Sequence, residues 1–571
     1  MFKSKAIFKT LKAGFLKGTT PKYSTFIDYF IVGIALLVFF APLFCFTRIP
    51  TQDGPLHVDT AAAMLNSLGI HREFIERYLE IRWLFETNTL GHDLLLICLW
   101  IAPSPIYAEK YFQFIYLTSF AGGLAYFLTA VRPEAWRLVP LGLPLAYSYL
   151  FHLGFYNSCL SICGFLWCWG SLLRCLRQIA FCNYFTLSLV LLLTWLSHPV
   201  GFVAFAIGAL FWIGVRILLL IRLPELRLTG YRWAKIKLMV VPTIILLIPF
   251  AAQFVFLKNK GGVQQWDFKT WSDLTERLLN LSAMDSFGIE KLKFYLKISV
   301  IFASATALLG FLGATKLWQK TKHPTGLAMW TMTLFYLTVF YTAPTDAAGS
   351  GYINERVMPC IFFFIIAILA ATSLRRITEL PLLLLGLGAI TGLQYIHWPV
   401  YAQADKVEQD YLFAVNQLPP ESILFNFQLE SNGFDGQKYA SYRVDFTVHL
   451  AGFYTAATGG IYINNIIARW NEQRQIGFKT NVQKGLSGLP PAFGGTPTTV
   501  DFGVFADSAG RPVDYVLIYG NFARELSLAN YYEQYLKNNY ECSLVSPLGL
   551  VKLCKRVPTG TDLMLEERQN R

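Results

Sequence analysis

Charge is what this chain has least of. Only 15% of its 571 residues are Asp, Glu, Lys or Arg, against roughly 25% in an ordinary soluble domain. With 54% of residues hydrophobic and 16% aromatic, the chain is too apolar to be disordered. Other absences narrow the field. There is no Cys-x-x-Cys pair and no Cys/His spacing of a metal site, so no metal and no cofactor are expected. The C-terminal third holds no Walker loop, no Gly-x-Ser-x-Gly elbow and no nucleotide-sugar signature. There is no internal repeat and no low-complexity tract. The apolar runs are nearly free of ionisable residues, whereas pumps and transporters usually need such groups within the bilayer.

What the chain has in quantity is apolar runs of about spanning length, roughly 20 residues each. Eleven are read near 27–47, 107–131, 138–155, 157–173, 179–198, 200–221, 238–257, 295–315, 326–343, 356–373 and 380–396. A further run at 91–102 is too short to span and fits an interfacial or re-entrant helix. Loop charge supports that count, because cytoplasmic loops carry excess Lys and Arg. Lys3, Lys5, Lys9, Lys12, Lys17 and Lys22 precede the first run, with no acid before Asp28. The later basic loops are Arg132/Arg137, Arg174/Arg177, Arg222 to Lys237, Lys316 to Lys322 and Arg375/Arg376. All share the side of the N-terminus only if 91–102 does not cross. The reading is a multi-pass protein of the bacterial inner membrane, N-terminus cytoplasmic and C-terminus outside. No cleavable signal peptide is expected.

The expected fold is therefore a polytopic α-helical membrane protein of about 11 transmembrane helices plus a small C-terminal α/β domain. Residues 1–26 form a basic cytoplasmic N-terminus and 27–396 the membrane domain, with a large outer loop at 48–106 carrying interfacial helices. Residues 397–558 form the extracytoplasmic domain, and 559–571 a disordered tail. In that domain Ser422–Phe427 and Tyr515–Tyr519 read as short buried strands, and 403–417 and about 525–538 as helices. Cys542 to Lys555 reads as a hairpin turning at Pro547–Gly549. It sets Cys542 about opposite Cys554, either as a disulfide suited to an oxidising compartment or as two unpaired strand residues.

Polar residues crowd at the outer ends of the runs and mark a site there. The most informative segment is Ile49-Pro-Thr-Gln-Asp-Gly-Pro-Leu-His57, directly after the first run. Gly54 permits a turn and Pro55 suits the first turn of a helix. Val58, Ala61, Ala62, Leu65 and Leu68 then recur at helical spacing. Asp53 is thus held at the water–lipid boundary. Desolvation there raises its pKa, and the helix N-terminus opposes that rise. Two readings stay open: a general base toward a hydroxyl, or a turn former and helix cap.

These residues carry a resemblance. The chain resembles the GT-C superfold of integral-membrane glycosyltransferases and is similar to the aminoarabinose and protein O-mannosyl transferase group. The matching features are Asp53 within Pro-Thr-Gln-Asp-Gly-Pro-Leu-His, the helix after it and the helix at 91–102. Pro105-Ile-Tyr-Ala-Glu-Lys110, Gly154-Phe-Tyr-Asn157 and Asn354-Glu-Arg356 also match. The resemblance covers about 25–396, and its architecture is more specific than any single motif. This chain departs from the commoner Asp-Glu pair, since Gly54 follows Asp53. A role needing a second adjacent acid is not carried over.

The resemblance implies transfer of a sugar from a polyprenyl-phosphate donor to a glycan, lipid or protein acceptor, with inversion. Asp53 is then the general base. Arg356, at the mouth of the run 356–373, meets the donor phosphate or else anchors the span by snorkelling. Glu355 orients Arg356 or caps the helix. His198, His57, Tyr156 and Asn157 are candidate substrate-binding residues, each with a structural alternative. Partners are the lipid-linked sugar, the acceptor and membrane lipids, with no nucleic acid. A transporter or flippase, or a non-catalytic membrane subunit of envelope glycan assembly, are the competing functions.

The net charge of +13 belongs to topology. Residues 397–571 hold 15 basic and 17 acidic side chains, leaving 34 basic and 19 acidic in 1–396. The surplus lies mostly in loops read as cytoplasmic, where it faces anionic headgroups.

Overall fold

Lipid offers no hydrogen bonds, so an apolar run must satisfy its own backbone and does so as a helix. A computed structural model describes residues 23–178, 180–222, 240–247, 251, 267–288, 325–346, 350–372, 376–469, 475–486, 489, 502–520 and 536–558. The chain enters with α1 (Tyr23–Cys45). The first loop follows, with α2 (Gly54–Asn66), α3 (Arg72–Tyr78), β1 (Leu79–Ile81) and α4 (Leu90–Ile101). Helix α5 (Pro105–Val131) returns through the bundle. Among the described residues six helices are long and apolar enough to cross a membrane. They match the runs read at 27–47, 107–131, 157–173, 200–221, 356–373 and 380–396. The run at 295–315 lies outside the described residues, as does most of 238–257.

The run at 138–155 is not one helix. It is a chain of short pieces: a 3-10 turn Pro133–Leu138, α6 (Val139–Gly142), a second 3-10 turn Leu143–Ala146, and α7 (Tyr149–His152). Pro140 and Pro144 supply no N–H to continue a regular helix. The pieces still run from one end of the bundle to the other. At one end Arg137 pairs with Asp28 at 2.9 Å and Glu379 at 3.2 Å. At the other, the His152 and Leu153 carbonyls accept from the Gln52 and Asp53 N–H groups at 2.8 and 3.0 Å.

Helices α8 (Tyr156–Cys175), α9 (Phe181–Ser197) and α10 (Pro199–Arg222) follow. Then come α11 (Trp271–Leu279), α12 (Thr325–Thr342) and α13 (Ile353–Ala371). Trp169 fastens α8 to its neighbours, meeting Phe205, Trp212 and Phe364 edge-on at 5.5, 6.0 and 5.0 Å. Helix α14 (Arg376–Tyr411) packs along α1. The helices read separately at 380–396 and 403–417 are largely this one helix, which passes residue 397 unbroken.

Beyond α14 stands the α/β region. A five-stranded sheet has the order β3-β2-β5-β7-β6, with β2 at Ile423–Gln428 and β3 at Ile461–Tyr462. Strand β5 spans Tyr515–Tyr519, β6 Tyr540–Val545 and β7 Val551–Arg556. Strand β2 runs parallel to β3 and β5, while β7 is antiparallel to β5 and β6. All five residues of β5 are buried, as expected of a strand covered on both faces. The β6–β7 hairpin turns through Gly549 and carries the Cys542–Cys554 disulfide. Most of the helix read at 525–538, and the tail 559–571, lie outside the described residues.

This region is tied back to the first loop. Strand β4 (Ile476–Phe478) pairs with β1, Leu79 opposite Phe478. Helix α15 (Gly452–Thr458) lies on α2. Between them the buried Asp59 carboxylate accepts from Thr455 Oγ1 at 2.6 Å and Asn465 Nδ2 at 2.7 Å.

Candidate functional site

Asp53 stands at the start of α2. Its carbonyl accepts the first bond of that helix from the His57 N–H, at 3.0 Å. Its side chain makes no cap bond, so the carboxylate is free of the duty that the turn-and-cap reading assigns it. Instead Gln52 Nε2 donates to Oδ1 at 3.3 Å. The other end of that amide accepts from the Asp445 N–H at 3.1 Å. The α/β region thus holds Gln52, and Gln52 holds Asp53.

His449, also from the α/β region, approaches to 3.8 Å from Asp53 Oδ1. Burial pushes its imidazole down to about 3, so near neutral pH it stands uncharged beside the carboxylate. Burial likewise lifts the Asp53 carboxyl to about 7, with the Gln52 bond pulling partly the other way. The side chain keeps 16% of its surface exposed, enough for a ligand to reach it.

The segment 149–155, at the end of the broken run, gathers the other charged groups. Gly154 has φ +79°, and a Cβ there would stand 2.6 Å from the Gly54 nitrogen and 2.8 Å from that of Asp53. Only glycine allows this approach. Next to it, Phe155 lies under the Arg356 guanidinium at 5.4 Å. Tyr149 lies under Arg443 at 4.0 Å. Tyr352, one turn before Arg356, packs on both Tyr149 and Phe155 at 5.8 Å. The segment 149–155 thus touches the backbone of Asp53 and carries the two rings that lie under Arg356 and Arg443.

His198 joins this group. Its ring nitrogens lie 3.2 and 2.5 Å from Arg356 Nη1, and both residues are buried. Glu355 does not: it accepts from Arg277 Nη1 of α11 at 2.5 Å. His57 is joined to His92 of α4, ring nitrogen to ring nitrogen, at 2.8 Å. His92 in turn meets Gln475 Oε1 at 2.6 Å. Asn157 accepts from the Gly91 N–H at 2.6 Å and donates to the Asn88 carbonyl at 2.9 Å. It pins the start of α4. Tyr156 is buried, and its hydroxyl bonds Glu109 and, at 3.1 Å, Thr51. These two side chains are committed to protein partners.

His449, Gln52, Arg443 and Arg277 were not singled out from sequence. The first three depend on how the α/β region docks, which no local pattern encodes. Among the described residues no three His, Cys, Asp or Glu side chains gather as a metal cluster.

No family model matches the chain, and no curated protein matches it. Solved structures do. The crystal structure of ArnT from Cupriavidus metallidurans bound to undecaprenyl phosphate aligns with a TM-score of 0.50 at 11% identity, covering 94% of this chain and 99% of that one. The apo state of the same protein gives 0.49 at 10% identity, with the same coverage. At such identity the likeness is one of fold. Over nearly its whole length the chain shares with undecaprenyl-phosphate-bound ArnT a multi-pass helical membrane architecture with a C-terminal α/β region.

Proposed function

We propose that the protein is a membrane glycosyltransferase of the GT-C kind, moving a sugar from a polyprenyl phosphate to an acceptor hydroxyl on the outer face of the bacterial inner membrane. The observation that carries the reading is that the segment 149–155 meets both the backbone of Asp53, whose carboxylate stays partly exposed, and the buried guanidinium of Arg356. The fold shared with a structure that holds undecaprenyl phosphate supports it.

In this reaction the acceptor oxygen attacks the anomeric carbon and a new C–O bond forms. The bond from that carbon to the phosphate oxygen breaks, and the lipid phosphate leaves with the electron pair. Asp53 takes the acceptor proton as general base. Arg356, backed by His198, receives the charge growing on the leaving phosphate. Attack opposite the leaving group inverts the anomeric centre. Tyr156, Asn157, His57 and Glu355 act through the protein groups they bond, Glu109, the start of α4, His92 and Arg277. The topology that fits is N-terminus in the cytoplasm, about eleven spans, and the α/β region outside.

The test is Asp53→Asn in reconstituted membranes with a polyprenyl-phosphate sugar donor. Transfer is expected to fall about 10²–10⁴-fold while donor binding is retained. Full transfer by the variant would sink the assignment and return the chain to the transporter or subunit readings.

A further inference from the structure

Directly behind Asp53 lies a charged group that the reaction does not use. Glu109, one turn into α5, has no exposed surface. Its Oε1 sits where a side chain at residue 54 would begin. A Cβ built on Gly54 would stand 2.0 Å from Glu109 Oε1, 2.2 Å from Thr51 Oγ1 and 2.6 Å from the Tyr156 hydroxyl. The absence of a side chain next to Asp53 is thus matched by a carboxylate that arrives from another helix.

That carboxylate collects the whole loop. Thr51 Oγ1 donates to Oε1 at 2.7 Å, Arg48 Nη1 at 3.1 Å and Gln113 Nε2 at 3.4 Å. The Tyr156 hydroxyl donates as well. Gln113, one turn further along α5, brackets Ile49, accepting its N–H at 3.0 Å and donating to its carbonyl at 2.8 Å. The second arm of Arg48 reaches Glu408 of α14 at 2.9 Å. The side-chain anchors of residues 48–51 thus pass mainly through α5 and α14, with Thr51 also 3.1 Å from the Tyr156 hydroxyl of α8 and Arg48 over the Phe453 ring of α15 at 5.3 Å.

We propose that Glu109 is a positioning residue: it fills from α5 the space left by Gly54 and fixes the 48–54 loop so that Asp53 keeps its place at the site. This rests on the glycosyltransferase reading for its effect on rate. Glu109 is not the base itself, because it has no surface for a substrate to touch. Nor is simple packing a sufficient account. A buried ion pair stabilises little relative to an apolar replacement of the same volume, and Glu109 Oε2 has no partner among the described residues. What the cluster does supply is a fixed geometry for four consecutive residues ahead of Asp53.

The consequence reaches the Asp53 carboxyl. Its pKa is set mainly by burial, and burial depends on the loop staying seated. The groups facing it or lying close by are His449 and Asp445 from the α/β region, His57 one turn along α2, and Glu109 and Arg48 behind. Releasing the loop lets water in and moves the carboxyl toward its ordinary range.

The experiment uses the full chain in lipid, with Glu109→Gln and the milder Thr51→Val and Gly54→Ala. The Asp53 carboxyl is followed by difference infrared titration, its band assigned by its loss in Asp53→Asn. The expected result in Glu109→Gln is a titration midpoint lower by about one unit or more, transfer reduced at least about tenfold, and donor binding within about threefold. Thr51→Val is expected to move the midpoint the same way by less, which keeps the test open if Glu109→Gln folds poorly. Gly54→Ala should cost less activity in a Glu109→Ala background than alone, because the nearest of its three close contacts is then removed while those with Thr51 and Tyr156 remain. A midpoint unmoved in folded Glu109→Gln and Thr51→Val overturns the proposal. The infrared arm needs no turnover. If the wild-type chain shows no transfer the glycosyltransferase reading fails, while the midpoint still decides whether Glu109 seats Asp53.

Discussion

A carboxyl that titrates near pH 7 is half ionised at neutrality, and each half has a consequence. In the proposed reaction the ionised half is the base. Transfer, as kcat/KM, is therefore expected to rise about tenfold per pH unit below pH 7 and to level off above it. A profile measured from pH 5 to 9 checks this, and a rise that persists in Asp53→Asn would belong to another group. The protonated half concerns stability. The folded value of about 7 lies above the ordinary 3.8. Between those values the native state binds more protons than the unfolded chain, so stability falls as pH rises through that window. Asp53→Asn removes this loss. Its melting temperature is expected to exceed that of the wild type at pH 8 by roughly 2–4 °C, with the gap closing near pH 4. Asp59, also lifted to about 7 by burial, titrates in both proteins and cancels in the difference. Asp53, Arg356 and His198 could be picked out from the sequence as candidates because each is a polar residue near the end of an apolar run, and the structure brings Arg356 and His198 together. Glu109 and Arg48 were not, because an ion pair buried between helices has the same local pattern as two loop charges.

Among the elements, the broken run 138–155 matters most. Its composition is as apolar as that of a span, so hydropathy reads it as one helix. Pro140, Pro144 and the left-handed Gly154 decide otherwise, and they do so through backbone bonds that hydropathy does not register. Breaking the helix is what lets its end fold under Asp53 and offer two carbonyls to the loop. Gly154→Ala adds a strained φ and a contact of 2.6 Å with the Gly54 nitrogen. It is expected to cost at least about 2 kcal/mol of stability and to abolish transfer. Gly33→Ala, with nothing within 4 Å of its added Cβ, is the matched control and should change neither. Thermal melts and transfer assays on the pair decide it. The β6–β7 hairpin and the near-opposition of Cys542 and Cys554 were legible from the Pro–Leu–Gly turn, whereas the disulfide was one of two open readings and the register shift between Glu541 and Leu544 was not foreseen. The β1–β4 pair was not, because its strands are three residues each and stand far apart in the sequence, at Leu79–Ile81 and Ile476–Phe478.

At the scale of the molecule, two ends are closed by charge. One is sealed by Asp28, Arg132, Arg137 and Glu379, with ion pairs of 2.8 to 3.2 Å. The other is closed by the α/β region, which reaches the first loop through β4, Asp59, Gln475 and Asp445. The two-part division was visible as a change in composition near residue 397, but composition says nothing about backbone continuity. Helix α14 runs through that point from Arg376 to Tyr411. It presents Glu408 to Arg48 and holds Asp405 at 3.0 Å from the Thr47 N–H. A junction of this kind fixes rotational phase. One residue inserted between Val400 and Ala404 would turn everything beyond it by about 100° and advance it by about 1.5 Å. Glu408 would then swing away from Arg48 while β4 and α15 remain tethered to the first loop. Such an insertion is expected to abolish folding into lipid, measured as monodisperse yield, where a flexible linker would absorb it. The α/β region cannot swivel over the site as an independent lid. It is keyed to the bundle like a shaft in its slot, with α14 bonded through Asp405 and Glu408 to Thr47 and Arg48 of the same loop that carries Gln52 and Asp53.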